Sequence, residues 1–134
     1  MRITKNKKHI SSTPFPLGRG GDGFIVFAYI TTKSKSEAKK IGKVLLKEKL
    51  AACVNIFDKM ESMYWWKGKI QNDSEAVLIA KTTKKLFHKL SDKVKSLHSY
   101  SCPCILQLEI TNGNKEYVKW LLENIAPTLK GENS

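Results

Sequence analysis

Three side chains that bind soft metal ions well lie together in one short segment, HSYSCPCI (98–105). They are His98, Cys102 and Cys104, and two thiolates with one imidazole would suit Cu(I) or Zn(II). In a strand, positions 102 and 104 would point the same way. The set has no fourth ligand, however, and cysteine is often a buried packing residue. The segment therefore has three interpretations: a metal site, structural thiols, or a redox pair.

Two other groups of residues could also do chemistry. Tyr64, Trp65 and Trp66 could stack on nucleic-acid bases, but neighbouring residues of a strand point to opposite faces. A subunit interface is therefore the favoured role for these aromatics. Asp73 and Glu75 flank the start of a predicted strand, where carboxylates act as acid or base, bind hard metal ions, or are simply solvated. The third cysteine, Cys53, lies in an apolar strand and is predicted to pack in the core.

The elements that must position these residues follow from the hydrophobic periodicity. Strands are predicted at 24–32, 50–57 continued by 60–66 across a bulge, 74–83 and 104–110, with a hairpin turn at 67–69. Helices are predicted at 36–49, 84–98 and 115–125. This order predicts an α+β fold, a ferredoxin-like βαββαβ sandwich with an extra C-terminal helix. One sheet face and the long aromatic hairpin lack a partner within the chain, so a homo-oligomer is expected.

Length and composition limit the function further. The 134 residues predict one domain at 24–126, with a flexible basic arm at 1–23 and a polar tail at 127–134. No apolar run is long enough to span a membrane. Three cysteines without a secretory signal indicate a reducing, cytoplasmic location, and organelle targeting by the basic arm is the alternative.

The net charge of +12 attracts anions in general. Because it comes mainly from lysines in every segment, it favours solubility over recognition. No specific nucleic-acid partner is expected, since the central strands lack the Lys/Arg-Gly-aromatic stretch of RNA-recognition modules. The chain also lacks a glycine-rich phosphate loop and a Cys-x-x-Cys motif, so no enzymatic activity is predicted.

Five segments give the chain a specific resemblance: LAACVNIF, YWWKGKI, SEAVLIAKT, VKSLHSYSCP and TNGNKEYVKWL. In their order and spacing they resemble the CutA family of divalent-ion tolerance proteins, over roughly residues 24–126. The resemblance implies a ferredoxin-like trimer with interlocking hairpins and carboxylates lining the clefts between subunits. It also implies binding of copper or other divalent metal ions. A regulatory or scaffold role like that of PII-type trimers, with a small molecule or a partner protein in the clefts, is the alternative.

The chain departs from the family pattern around its proposed copper site. His98, Tyr100 and Pro103 match the pattern, whereas Ser101 and Cys104 replace acidic residues. In bacterial members, a cysteine on the first strand is a proposed copper ligand, and its place falls at Tyr29. We therefore hypothesise that Cys102 and Cys104 supply the thiol ligands here.

Overall fold

The structure, a computed structural model, describes residues 15–16 and 25–127. Six strands and three helices follow one another in these ranges. They are β1 (Phe15–Pro16), β2 (Ile25–Thr32), α1 (Lys35–Lys47), β3 (Cys53–Trp66), β4 (Lys69–Thr83), α2 (Lys84–Leu97), β5 (Ile105–Ile110), β6 (Asn112–Gly113) and α3 (Lys115–Glu123). No helix in the described ranges is long and apolar enough to cross a membrane.

Four strands form one antiparallel sheet in the order β3-β4-β2-β5. This is the order of a ferredoxin-like sandwich, so the predicted α+β fold is confirmed. The remaining two strands pair with each other as a two-residue bridge, Phe15–Pro16 against Asn112–Gly113. Apart from this bridge, the predicted arm lies outside the described residues, as does the tail beyond Pro127.

Alternating residues of the two central strands separate the faces of the sheet. Ala28, Ile30, Leu78 and Ala80 are fully buried on the face that α1 and α2 cover. Gly42 allows α1 to approach closely, since a β-carbon there would lie 3.1 Å from Cγ2 of Val54. The inward residues of the helices complete this core, and they include Ala38, Ile41, Leu45, Leu86, Leu90, Val94, Val118 and Leu121.

The opposite face of the sheet, which we call the open face, is only partly covered. At one end Nζ of Lys81 lies 3.2 Å from Oη of Tyr117 in α3 and 5.5 Å from the ring centre of Phe27. Elsewhere large apolar side chains remain exposed: Leu106 by 58% and Leu108 by 49% on β5. The single chain therefore has the uncovered sheet face that the sequence predicts.

The hairpin of β3 and β4 is longer than predicted. The polar residues 70–73, predicted to precede a strand at 74–83, belong to β4 and pair with β3 up to Trp66 and Lys69. Positive φ angles at Lys67 and Gly68 close the two-residue turn. The register shifts between Phe57 and Met60, where the bulge was predicted. Backbone pairing thus continues where the hydrophobic pattern stops.

Candidate functional site

An open cleft of about 780 Å³ lies between the outer part of the hairpin and the segment that joins α2 to β5. Alternation along β4 places Gln71, Asp73 and Glu75 on the open face of the sheet. The full lining comprises Thr31, Ser62, Tyr64, Trp66, Gln71, Asp73, Glu75, Tyr100, Ser101, Cys102 and Cys104. The cleft thus collects both predicted carboxylates, two of the aromatics and both thiols of the Cys-x-Cys segment.

Each cleft carboxylate accepts a hydrogen bond from a tyrosine. Oη of Tyr100 donates to Oε2 of Glu75 at 2.7 Å, and the Tyr64 hydroxyl donates to Asp73. Burial, together with the hydrogen bond and charge of Glu75, raises the pKa of Tyr100 far above its usual range. The hydrogen bond to Asp73 raises the pKa of Tyr64 as well. Both tyrosines are therefore neutral donors at physiological pH, and each donates to one oxygen of its carboxylate.

The two thiols of the cleft differ in exposure. Cys102 is exposed, whereas Cys104 is half-buried, and all three cysteines of the chain are free. Burial raises the pKa of Cys104, a hydrogen bond with Thr31 works in the opposite direction, and the negative charge of Glu75 raises it further. Cys104 is consequently a protonated thiol near neutral pH, and a metal ion would have to displace its proton.

His98 lies under the cleft, and its side chain is completely buried. Its Nε2 lies 2.7 Å from the carbonyl oxygen of Thr31, and its Nδ1 accepts the backbone N–H of Tyr100 at 3.0 Å. A carbonyl can only accept, so Nε2 must carry the proton. Both ring nitrogens are therefore occupied, and the histidine fastens the Cys-x-Cys segment to the end of β2.

Glu37 fastens the same segment from a second side. Ser34 caps α1 by accepting the N–H of Glu37, and the Glu37 carboxylate accepts the N–H groups of Lys33 at 3.1 Å and Ser99 at 2.7 Å. Burial acts to raise the pKa of this carboxyl, but the hydrogen bonds that it accepts from Ser99 and Lys33 outweigh burial and lower the pKa. Glu37 is thus a buried anion that holds two loops together.

The predicted metal ligands are not assembled as one site in the single chain. No three His, Cys, Asp or Glu side chains in residues 15–16 and 25–127 are arranged to hold an ion together. The ring of His98 does not fit a metal, because both its nitrogens already bind the backbone. Cys102 and Cys104 do line the cleft with Asp73 and Glu75, so a role for the two thiols stays a prediction.

The predicted interface aromatics are exposed at the outer end of the hairpin. Tyr64 is exposed by 40%, Trp65 by 72% and Trp66 by 59%. Trp65 pairs with Ile70 and Trp66 with Lys69, so the two indoles occupy opposite faces as predicted. Cys53, predicted to pack in the core, is half-buried opposite Lys81 on the open face. Tyr29 points its hydroxyl toward Sδ of Met60, at 3.8 Å.

The sequence placed Glu37 in the first turn of a helix and matched Tyr100 to the family pattern, but it assigned no role at the cleft to Glu37, Thr31 or Tyr100. Glu37 carries a local signal, because a serine followed three residues later by glutamate is typical of a helix N-terminus. Thr31 and Tyr100 carry none. The Thr31 carbonyl meets His98 across 67 residues of sequence, and Tyr100 meets Glu75 across 25.

Comparison with known proteins agrees with this fold. The family of the CutA1 divalent ion tolerance protein matches residues 26–124. A divalent-cation tolerance protein CutA of Archaeoglobus fulgidus is 46% identical over 99 residues, which cover 74% of this chain and 96% of that protein. The protein CutA 1, chloroplastic, of Oryza sativa is 43% identical over 96 residues, which cover 72% of this chain and 54% of that protein.

Solved structures are similar over the same region. The crystal structure of CutA1 from Oryza sativa has a TM-score of 0.76 at 39% identity, covering 78% of this chain and 96% of that chain. The divalent ion tolerance protein CutA1 from Ehrlichia chaffeensis has a TM-score of 0.74 at 35% identity, covering 77% and 96%. The chain therefore belongs to the CutA1 family of divalent-ion tolerance proteins, as the sequence resemblance predicted.

Proposed function

We propose that the protein is a non-catalytic homotrimer that binds copper or another divalent metal ion in the clefts of its open faces. The observation that carries this proposal is the convergence of two thiols, Cys102 and Cys104, and two carboxylates, Asp73 and Glu75, on one cleft. The names of the relatives as divalent-cation tolerance proteins point to the same class of ligand.

The donor types allow two kinds of ion. Thiolates suit Cu(I), while carboxylates suit harder divalent cations. When bound, copper would supply a soft acceptor for the thiolates, and the chain would supply Cys102 and Cys104 after loss of their protons. Residues 25–127 provide no complete ligand set in one subunit. The proposal therefore requires that assembly with other copies completes the set for tight binding.

Oligomerisation is supported by the apolar surface of the single chain. Phe57, Met63, Trp65, Leu106 and Leu108 are each exposed by about half or more. These side chains lie on the open face and on both faces of the hairpin, and β3 pairs with β4 alone among the described strands, which leaves it at the edge of the sheet. Contact with other copies would bury these apolar side chains and would cover the backbone groups at the edge of β3. The trimer itself comes from the family resemblance.

A small molecule is the second candidate for the cleft. Its volume of about 780 Å³ lies within the range of roughly 300–1,000 Å³ that is usual for ligand sites. Aromatic walls from Tyr64, Trp66 and Tyr100 with two fixed carboxylates suit an organic ligand as well as an ion. In that case the trimer would work as a regulatory or scaffold module of the PII type.

The test combines mass and metal affinity. Light scattering of the full chain should give about three times the subunit mass of 15.2 kDa. Cu(I) and Cu(II) affinities of the reduced protein are then measured against competing chelators. The double variant Cys102→Ser, Cys104→Ser should lose Cu(I) affinity by at least tenfold, whereas Cys53→Ser, which removes a thiol outside the cleft, should retain it.

Each outcome separates the two candidates. Unchanged copper affinity in the double variant would remove the thiols from the proposal, and Asp73→Asn with Glu75→Gln would then test the carboxylates. Copper affinity no greater than that of a control protein would favour the small-molecule candidate. A monomeric mass would contradict both candidates.

We also propose a reducing location, since all three cysteines are free. The relatives differ on this point, because the rice protein is named chloroplastic and an Archaeoglobus fulgidus structure is named periplasmic. Fractionation of cells that express the full chain would distinguish cytoplasm from organelle.

A further inference from the structure

The positive charge of the folded domain is concentrated on one side of the molecule. Residues 33–49 and 84–97, which form α1, α2 and their ends, contain twelve lysines and three acidic residues, a net charge of +9. All other described residues together contain six lysines and seven acidic residues, a net charge of −1. We call the outer surface of α1 and α2 the lysine layer. The sequence suggested charge spread over every segment, and the fold instead collects it.

The charges of the lysine layer face solvent. Ten of its twelve lysines are exposed, and the other two, Lys85 and Lys93, are half-buried. One of the three acidic residues, Glu37, is buried beneath α1 and therefore adds little negative charge to the surface. Glu48 and Asp92 are exposed, and Glu48 pairs with Lys93 at 3.2 Å. Lys84 also pairs with Glu109 of β5 at 3.6 Å, so the outward surface is strongly positive but carries a few ion pairs.

The centre of the lysine layer on α1 is a shallow concavity. It is lined by Lys35, Ser36, Lys39, Lys40 and Lys43, with no acidic residue in its lining within the described part of the chain. Like charges at helical spacings of three and four repel each other weakly when they are exposed, so this arrangement costs only a little stability in the free protein. An anionic partner would relieve that repulsion and would gain from every lysine at once.

We propose that the lysine layer docks the protein onto a membrane surface that carries anionic phospholipids. Clusters of four to eight lysines on an amphipathic helix are typical of such surfaces, and α1 alone carries five, at 35, 39, 40, 43 and 47. The apolar sides of both helices are buried against the sheet. Docking is therefore electrostatic and reversible, without insertion of a helix.

The side chains of the layer favour a lipid surface over nucleic acid. The described ranges contain no arginine, and lysine binds phosphate as a point charge, whereas base recognition relies on arginine, asparagine and glutamine. The exposed positions of α1 and α2 carry no Phe, Tyr or Trp, and His88 is their one ring on which a base could stack.

Docking by this layer leaves the cleft accessible. The lysine layer covers the buried face of the sheet, and the cleft belongs to the open face on the other side. The layer would therefore hold the protein at the membrane while the open faces remain available to other copies and to a ligand. The inference is independent of what the cleft binds.

The test is sedimentation of the full chain with vesicles of phosphatidylcholine alone and with added phosphatidylserine. Two triple variants keep the same net charge as each other: Lys39→Gln, Lys40→Gln, Lys43→Gln in the lysine layer, and Lys59→Gln, Lys115→Gln, Lys119→Gln outside it. Each lysine near an anionic surface contributes about fivefold in affinity. The layer variant should therefore bind at least tenfold more weakly, and the outside variant should bind within about threefold of the parent protein.

Several outcomes would overturn the proposal. The first is an equal loss in both variants, because only total charge would then matter. The second is full binding by the layer variant, which would assign binding to the basic residues of 1–24 that both variants keep. The third is tighter binding to duplex DNA than to the anionic vesicles at 150 mM salt. Binding that persists at 500 mM salt would also contradict an electrostatic contact.

Discussion

The lysine layer and the cleft lie on opposite faces of one sheet and accommodate charge in opposite ways. In the layer, like charges stand side by side, and most of them are exposed to water. Around and beneath the cleft, each carboxylate accepts a hydrogen bond: Asp73 and Glu75 from tyrosine hydroxyls, and Glu37 from backbone N–H groups. The comparison teaches that a large net charge can be nearly neutral for stability when it is solvated, whereas a few partly buried polar groups must satisfy one another.

The largest expected effect is the loss of the buried imidazole below the cleft. His98→Ala removes the ring between the Thr31 carbonyl and the Tyr100 N–H and leaves a cavity. The free energy of unfolding should fall by about 3 kcal/mol. Urea unfolding at fixed protein concentration measures this loss. A loss below about 1 kcal/mol would show that the Cys-x-Cys segment does not depend on this residue.

The second effect concerns the buried carboxylate. Glu37→Gln replaces a charged acceptor of two N–H groups by an amide, and the unfolding free energy should fall by about 2 kcal/mol at neutral pH. The folded-state pKa of Glu37 lies below its ordinary value of 4.5. Its contribution is therefore present above 4.5 and is lost as the pH falls through the lowered pKa.

The pH dependence of the unfolding free energy provides the control for Glu37. Unfolding of the parent protein and of Glu37→Gln is followed from pH 7 down to pH 3, and the difference between them should shrink at the acid end. A difference that stays constant over this range would mean that the loss comes from packing and not from the charge.

The third effect distinguishes the two thiols of the cleft. Cys102 is exposed. The pKa of Cys104 is raised mainly by burial and further by the charge of Glu75. Alkylation with iodoacetamide should modify Cys102 severalfold faster near neutral pH, because the thiolate is the reactive form. Glu75→Gln should speed up Cys104. Mass spectrometry of timed samples measures both rates, and equal rates at the two cysteines would contradict the environments described.

The smallest effect is expected in the lysine layer. Lys39→Gln, Lys40→Gln and Lys43→Gln together should change the unfolding free energy by no more than about 0.5 kcal/mol, since solvated surface charges contribute little. The same three changes are those expected to weaken vesicle binding. A stability loss above about 2 kcal/mol would mean that these lysines are structural, and the contrast between the two faces would fail.

The sequence by itself determined the elements and their order. Apolar residues at helical spacing fixed α1 and α2, and β-branched runs fixed β2 and the inner half of β4. The bulge before Met60 and the turn at Lys67 and Gly68 were also predictable, because they follow from local backbone preferences. Helix ends shifted by one or two residues, where local propensity competes with tertiary contacts.

Only the tertiary structure decided what the polar residues do. His98 looked like a metal ligand in sequence, and its partner Thr31 lies 67 residues away. The outer hairpin was predicted too short, because cross-strand pairing and not hydrophobicity extends β4 to Lys69. The sequence suggested positive charge in every segment, but most of it lies on α1 and α2, and the crossovers place both helices on one face of the sheet. Hydrophobic periodicity is encoded locally, whereas hydrogen-bond partners and the arrangement of charge depend on which distant segments the fold brings together.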